Sequence, residues 1–148
     1  MPTILALPAV GPFLPRVVLD TNIVLDAFVF ADAAAQPLRD GLAAGRLDWI
    51  ATAPMRTELA RVLAYPQIAP RLDYYRLAAA DVLAAFDRHV RLVAPAPKAP
   101  PTCRDPDDQG FIDLAVAHQA RLLSKDRAVL ALRKRLQALG VAVGQAYA

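Results

Sequence analysis

Short runs of β-branched and aliphatic residues alternate along this chain with longer stretches in which apolar residues recur every three or four positions. Arg16-Val-Val-Leu19 is a compact apolar run ending in Asp-Thr-Asn, the form of a strand buried on both faces. Leu47–Ala51, Val90–Val93, Arg121–Ser124 and Val141–Val143 repeat that form and are read as strands two to five. Between them the helical period takes over. Asn22–Phe30 reads as a helix with Thr21 or Asn22 near its start, and Pro37–Ala44 as a second, ended by Gly45. Thr52 is a good N-cap with Pro54 in the first turn, and Met55, Leu59, Val62 and Leu63 form the inward stripe of a helix that stops before Pro66. Leu72 to about Asp87 reads as one helix, Asp105-Pro106 opens another that runs to about Ala120, and Arg127–Leu139 is a last one closed by Gly140. Ala94–Pro101 holds four prolines in eight residues and is a loop.

Strands separated by helices imply right-handed crossovers, hence an α/β fold of three layers (α/β/α) around a parallel sheet of four to five strands. The 148 residues, 56% of them hydrophobic, suit one such domain over residues 16–148, preceded by an N-terminal arm at 1–15. That arm carries four prolines and no basic residue, which is unlike a secretory signal, and no apolar run reaches the ~18 residues of a membrane span. A cytoplasmic protein is the expectation. Cys103 is the sole cysteine, so neither an internal disulfide nor a thiolate zinc cluster can form, and a catalytic thiol served by His89 or His118 has no local support.

The net charge of +3 comes from 14 arginines and 3 lysines against 14 acids, a balance compatible with a nucleic-acid partner. The acids say more. Thirteen are aspartates and Glu58 is the only glutamate. Ligands of an open parallel sheet gather beyond the carboxyl ends of its strands. Asp20 directly follows the first predicted strand, Asp126 stands two residues past Ser124 at the end of the fourth, and Asp108 sits in the first turn of the helix entering that fourth strand. Asp108 precedes Phe111, Ile112 and Ala115 at helical spacing and therefore lies on the inward row, whereas Asp113 is rotated roughly 140° away and is expected outward. Each acid also has a plainer role. Asp20 can cap the helix after it, Asp126 the helix at Arg127, Asp105 and Asp107 a helix start with Pro106 at N1, and Glu58 can pair with Arg61.

Four segments together resemble the PIN-domain family, closest to bacterial toxins of the VapC type in type II toxin–antitoxin systems. They are Val17-Val-Leu-Asp20-Thr-Asn22, Thr52-Ala-Pro-Met-Arg-Thr-Glu58-Leu, Arg104-Asp-Pro-Asp-Asp108-Gln-Gly-Phe-Ile112 and Leu122-Leu-Ser-Lys-Asp126, in order over Val17–Val143. The resemblance carries the family's acids to Asp20, Glu58, Asp108 and Asp126, with Asn22, Asp105 and Ser124 in support. Asp113 departs from it, since a small apolar residue is expected there. The implied function is that of an endoribonuclease dependent on Mg²⁺ or Mn²⁺, leaving 5′-phosphate and 3′-hydroxyl ends.

The chemistry agrees with that implication. Ionised carboxylates cannot crowd together unpaired, and a divalent cation with oxygen ligands resolves the conflict while inverting the local charge toward a phosphodiester. A two-metal in-line displacement is expected, with Asp20, Asp108 and Asp126 as metal ligands and Glu58 holding a second ion or orienting the attacking water. Arg56, Arg104, Lys125 and Arg127 flank the motifs as candidate RNA-phosphate contacts, although pairing with nearby aspartates is an equal prospect. Trp49 and the four tyrosines are read as packing, and both histidines as structural. The resemblance further implies an antitoxin partner and a homodimer. A haloacid-dehalogenase-type phosphatase would want a second acid where Asn22 stands, and a catalytically degenerate PIN-fold binding module would not keep four acids.

Overall fold

The computed structural model describes residues 14–147, so the arm reading of residues 1–15 falls, but for its last two residues, outside the described part. The strands are β1 (Arg16–Leu19), β2 (Asp48–Ala51), β3 (Val90–Leu92), β4 (Arg121–Leu123) and β5 (Val143–Gly144). The helices are α1 (Thr21–Phe28), α2 (Gln36–Ala43), α3 (Ala53–Leu63), α4 (Ala69–Tyr74), α5 (Ala79–His89), α6 (Gln109–His118), α7 (Arg127–Leu130) and α8 (Arg133–Ala138). Short 3₁₀ turns at Ala33–Ala35 and Pro106–Asp108 lead into α2 and α6.

All five strands pair in parallel, in the order β3-β2-β1-β4-β5. From β1 the chain steps outward to β2 and β3, then returns to the other side of β1 for β4 and β5. With crossovers of one hand, reversing the direction of travel moves the covering helices to the opposite face. The core divides accordingly. Alternate residues of β1 separate, Val17 and Leu19 packing with Leu25, Leu38, Trp49, Leu59 and Phe86 on one face, and Val18 packing with Ile112, Leu114, Leu122, Val129 and Leu136 on the other. The expected α/β/α sandwich is therefore present, with five strands.

Two predicted helices are broken in two. The stretch from Leu72 to Asp87 is interrupted at Arg76, whose φ of 58° is left-handed, and the Leu77 amide returns to the Leu72 carbonyl to close α4. The Arg127–Leu139 stretch is interrupted at Ala131 and Leu132, where Leu132 leaves helical geometry with ψ of 6°. Strand five begins two residues later than expected, and Val141 is instead buried in the core between α8 and β5. Among the described residues no helix is long and apolar enough to cross a membrane.

Candidate active site

The place where β1 and β4 lie side by side is the switch point of this sheet, since the chain leaves them in opposite directions. Leu19 is in register with Leu123, so the next residues, Asp20 and Ser124, emerge together at the carboxyl edge. The Asp20 amide donates to the Leu123 carbonyl at 3.1 Å. Both side chains are buried, and Ser124 Oγ donates to Asp20 Oδ2 at 2.6 Å. The other oxygen, Oδ1, accepts from the Asn22 amide at 2.8 Å and caps α1. Burial nonetheless raises the Asp20 pKa against these two donors, and the charges of Asp126 and Asp26 push it the same way.

Asp126 reaches this edge from the turn after β4. Its amide donates to Ser124 Oγ at 3.0 Å, and its Oδ1 accepts from the Ala128 amide at 2.8 Å to cap α7. Ser124 thus ties two acids from distant segments to one hydroxyl. Asp108 arrives at the end of the second 3₁₀ turn, with Asp105 capping that turn through the Asp107 amide at 3.0 Å. One carboxylate oxygen each from Asp105, Asp108 and Asp126 lies within 4.8 Å of the others. Asp108 is buried, and its Oδ2 has no hydrogen-bond partner among the described residues. Its pKa is pushed up to about 7, first by desolvation and then by the charges of Asp20, Asp126 and Asp105. Asp108 therefore holds its proton to a higher pH than an ordinary carboxyl.

An orphaned buried carboxylate oxygen amid three further acids fits a hard divalent cation, which takes oxygen ligands and offsets their repulsion. Asp108 and Asp126 belong to both the expected ligand set and the tightest trio; Asp105, expected only in support, completes that trio where Asp20 was expected. Glu58 lines the same cleft of about 410 Å³ as Asp20, Asn22, Asp105 and Asp108. It also makes the plainer contact, since Arg61 Nη1 donates to Glu58 Oε1 at 2.7 Å.

The four basic candidates divide. Arg56 is held by Asp87 through two hydrogen bonds of 2.7 and 2.8 Å, and Lys125 is paired with Asp26. Arg104 and Arg127 are exposed and have no ion-pair partner among the described residues. Cys103 is buried and its thiol pKa is raised by that burial, which disfavours the thiolate a nucleophile needs. His89 stacks on Phe28 and its pKa is lowered by burial. The tyrosines are not all packing residues: Tyr74 is 80% exposed, with Tyr75 edge-on against it.

Two contributors were not legible from the sequence as site-builders. Asp113, expected outward, turns its Oδ1 toward the proline loop and accepts from the Ala99 amide and from Gln109 Nε2, each at 2.8 Å. Asp26, half-buried, holds Lys125 and adds charge near Asp20. Asp26 stands four after Asn22 in the first predicted helix, a spacing that offered the only hint.

A sequence model of the PIN domain matches residues 16–128. No curated protein matches the chain.

Proposed function

The chain belongs to the PIN-domain family, whose members are generally nucleases, and on that premise we propose that it is an endoribonuclease dependent on Mg²⁺ or Mn²⁺. The observation that carries the reading is the meeting of Asp105, Asp108 and Asp126 within 4.8 Å, around a buried Asp108 oxygen that has no donor. Asp108 and Asp126 are the ligands, with Asp20 as the central acid and Asp105 in support. A bound divalent ion supplies positive charge for the phosphodiester and makes water more acidic.

The chain's own residues do the rest. Ser124 and the Asn22 amide fix the Asp20 carboxylate so that only its remaining lone pairs face the cleft. Glu58, with Oε1 engaged by Arg61, has Oε2 free to orient a water and take its proton. Attack of that water oxygen on phosphorus, in line with O3′, forms one P–O bond and breaks the other. The leaving O3′ takes a proton from solvent, which gives 5′-phosphate and 3′-hydroxyl ends. Arg104 and Arg127, exposed and without an ion-pair partner among the described residues, are the cations for flanking phosphates.

The direct test is hydrolysis of a structured RNA with Mn²⁺ or Mg²⁺ against chelator, in the wild type and Asp20→Asn. Cleavage that needs the ion and disappears in the variant is expected. RNA binding without ion-dependent cleavage would instead leave a binding module. The motif resemblance supports the finer role of toxin in a toxin–antitoxin pair, acting in the cytoplasm as a homodimer. Growth arrest on expression, relieved by a small neighbouring DNA-binding protein, is the outcome that role requires.

A further inference from the structure

A second cleft adjoins the acid cleft and differs from it in character. It encloses about 320 Å³ between Met55 at the start of α3, Pro95 and Ala96 of the proline loop, and Gly110 and Phe111 of α6. Glu58, Asp107 and Phe111 line both clefts, so the carboxylates stand at their common border. The proline loop is tied to α6 just after the two residues that form this wall. Asp113 Oδ1 accepts from the Ala99 amide and from Gln109 Nε2, Gln109 Nε2 also donates to the Pro101 carbonyl at 3.0 Å, and Gln109 Oε1 accepts from the Cys103 amide at 2.6 Å. Such a wall costs little ordering entropy when something binds against it.

Apolar lining from two helices and a loop suits a flat ring, and a nucleobase is the flat part of a nucleotide whose phosphate would lie in the acid cleft. Of the charged groups lining this cleft, Glu58 and Asp107 are acceptors, and the Arg61 guanidinium is drawn to Glu58 Oε1 at 2.7 Å. Asp107 is exposed, and its carboxylate has no hydrogen bond among the described residues. Guanine alone of the four bases offers two adjacent donors, N1–H and N2–H, on its Watson–Crick edge, the pair a carboxylate accepts side by side. We propose that the second cleft is a nucleobase subsite taking an unstacked guanine of the RNA strand, with Met55, Pro95 and Phe111 against its faces and Asp107 accepting from its Watson–Crick edge. This rests on the nuclease reading for what brings RNA to the cleft.

Two features make the test clean. The chain has two methionines, Met1 and Met55, so methyl-labelled methionine puts one NMR probe in the cleft wall. A Cβ built on Gly110 meets nothing nearer than Met55 Cε at 4.0 Å, so Gly110→Leu fills the cleft from a helical position without backbone strain. The four nucleoside 5′-monophosphates are titrated against wild type, G110L and Asp107→Asn in Mg²⁺. Guanosine monophosphate is expected to shift the Met55 methyl and to bind at least tenfold more tightly than the uridine compound. G110L should abolish the shift, and Asp107→Asn should keep it while erasing most of the guanine preference. A parallel scan replaces each base around the scissile bond with an abasic residue. One position should cost the wild type tenfold or more in kcat/KM and cost G110L nothing. A Met55 methyl unmoved by all four nucleotides, or moved equally by them, overturns the proposal whether or not RNA is cleaved. Conversely, a guanine-selective shift in a protein that cleaves no RNA would keep the subsite and sink the nuclease reading.

Discussion

Asp108→Asn should make the metal-free protein more stable while removing its function. In the wild type Asp108 is buried, its Oδ2 lacks a donor, and its pKa is pushed up to about 7 from an ordinary value of 3.8. The folded state therefore binds more protons than the unfolded state between those two values. By linkage, stability falls as pH rises from about 4 to about 7, and the whole penalty is present above pH 7. A shift of about three units corresponds to about 4 kcal/mol at 1.36 kcal/mol per unit. Water in the open cleft screens the charges and neighbouring acids titrate with Asp108, so about half, roughly 2 kcal/mol, is the expected effect. Asparagine copies the protonated acid, since its amide can donate as the carboxyl proton does. For a chain of this size the gain should raise Tm by about 4–8 °C. The measurement is thermal unfolding in chelator at pH 8 and pH 4.5, with and without added Mn²⁺. The variant should exceed the wild type at pH 8, match it at pH 4.5, gain nothing from Mn²⁺, and lose at least about 100-fold in cleavage. A variant less stable than the wild type in chelator at pH 8 would refute the idea that repulsion among these acids is held in check by a proton or a cation.

Ser124→Ala removes the donor to Asp20 Oδ2 and the acceptor for the Asp126 amide, both in a buried setting. A loss of about 1.5–3 kcal/mol in denaturant unfolding is expected, with the acidic limb of the cleavage pH profile moving upward because Asp20 loses a group that lowers its pKa. Asp113→Ala should cost about 1–2 kcal/mol and speed hydrogen exchange at the Ala99 amide, while amides of β1 and β4 keep their protection. Arg127→Ala should reduce the salt dependence of RNA binding by about one counterion. Arg56→Ala should leave that slope unchanged, because its guanidinium is already committed to Asp87. Equal slopes for the two variants would remove Arg127 from the RNA contacts.

Where one residue type dictated the local structure, the fold was legible. Val17 and Val18 cannot be satisfied outside a sheet covered on both faces, Gly45 and Gly140 adopt the positive φ that ends a helix, and the prolines of 94–101 forbid a regular element. The two helix breaks had no such marker. Arg76 takes a left-handed φ although nothing in its side chain favours it, because Leu72 and Leu77 must both reach the core and a continuous helix would rotate one of them away. The break at Leu132 falls between Val129 and Leu136, which share one apolar cluster as they would on a continuous helix. Tertiary demand decided the break at Arg76, and a single sequence carries no direct sign of it.

The site was legible for a related reason, which also explains why its plainer readings were hard to dismiss. Capping and gathering around a cation are compatible roles for one carboxylate. Asp20, Asp105 and Asp126 each give Oδ1 to a backbone amide two residues on, at 2.8–3.0 Å, and each keeps Oδ2 for something else. The cap fixes the rotamer without using up the charge. The starts capped by Asp105 and Asp126 thereby bring one oxygen each within 4.8 Å of one on Asp108, with little further ordering cost. Asp108 differs, since its side chain makes no such cap hydrogen bond, and it is the acid left with an unpartnered buried oxygen. Helix periodicity alone placed Asp108 inward. The same geometry misjudged Asp113, because its partner is a loop, and a loop's return path across a helix has no period to read. A search for acids that merely cap would have found three of these residues and missed the one whose buried oxygen lacks a partner among the described residues.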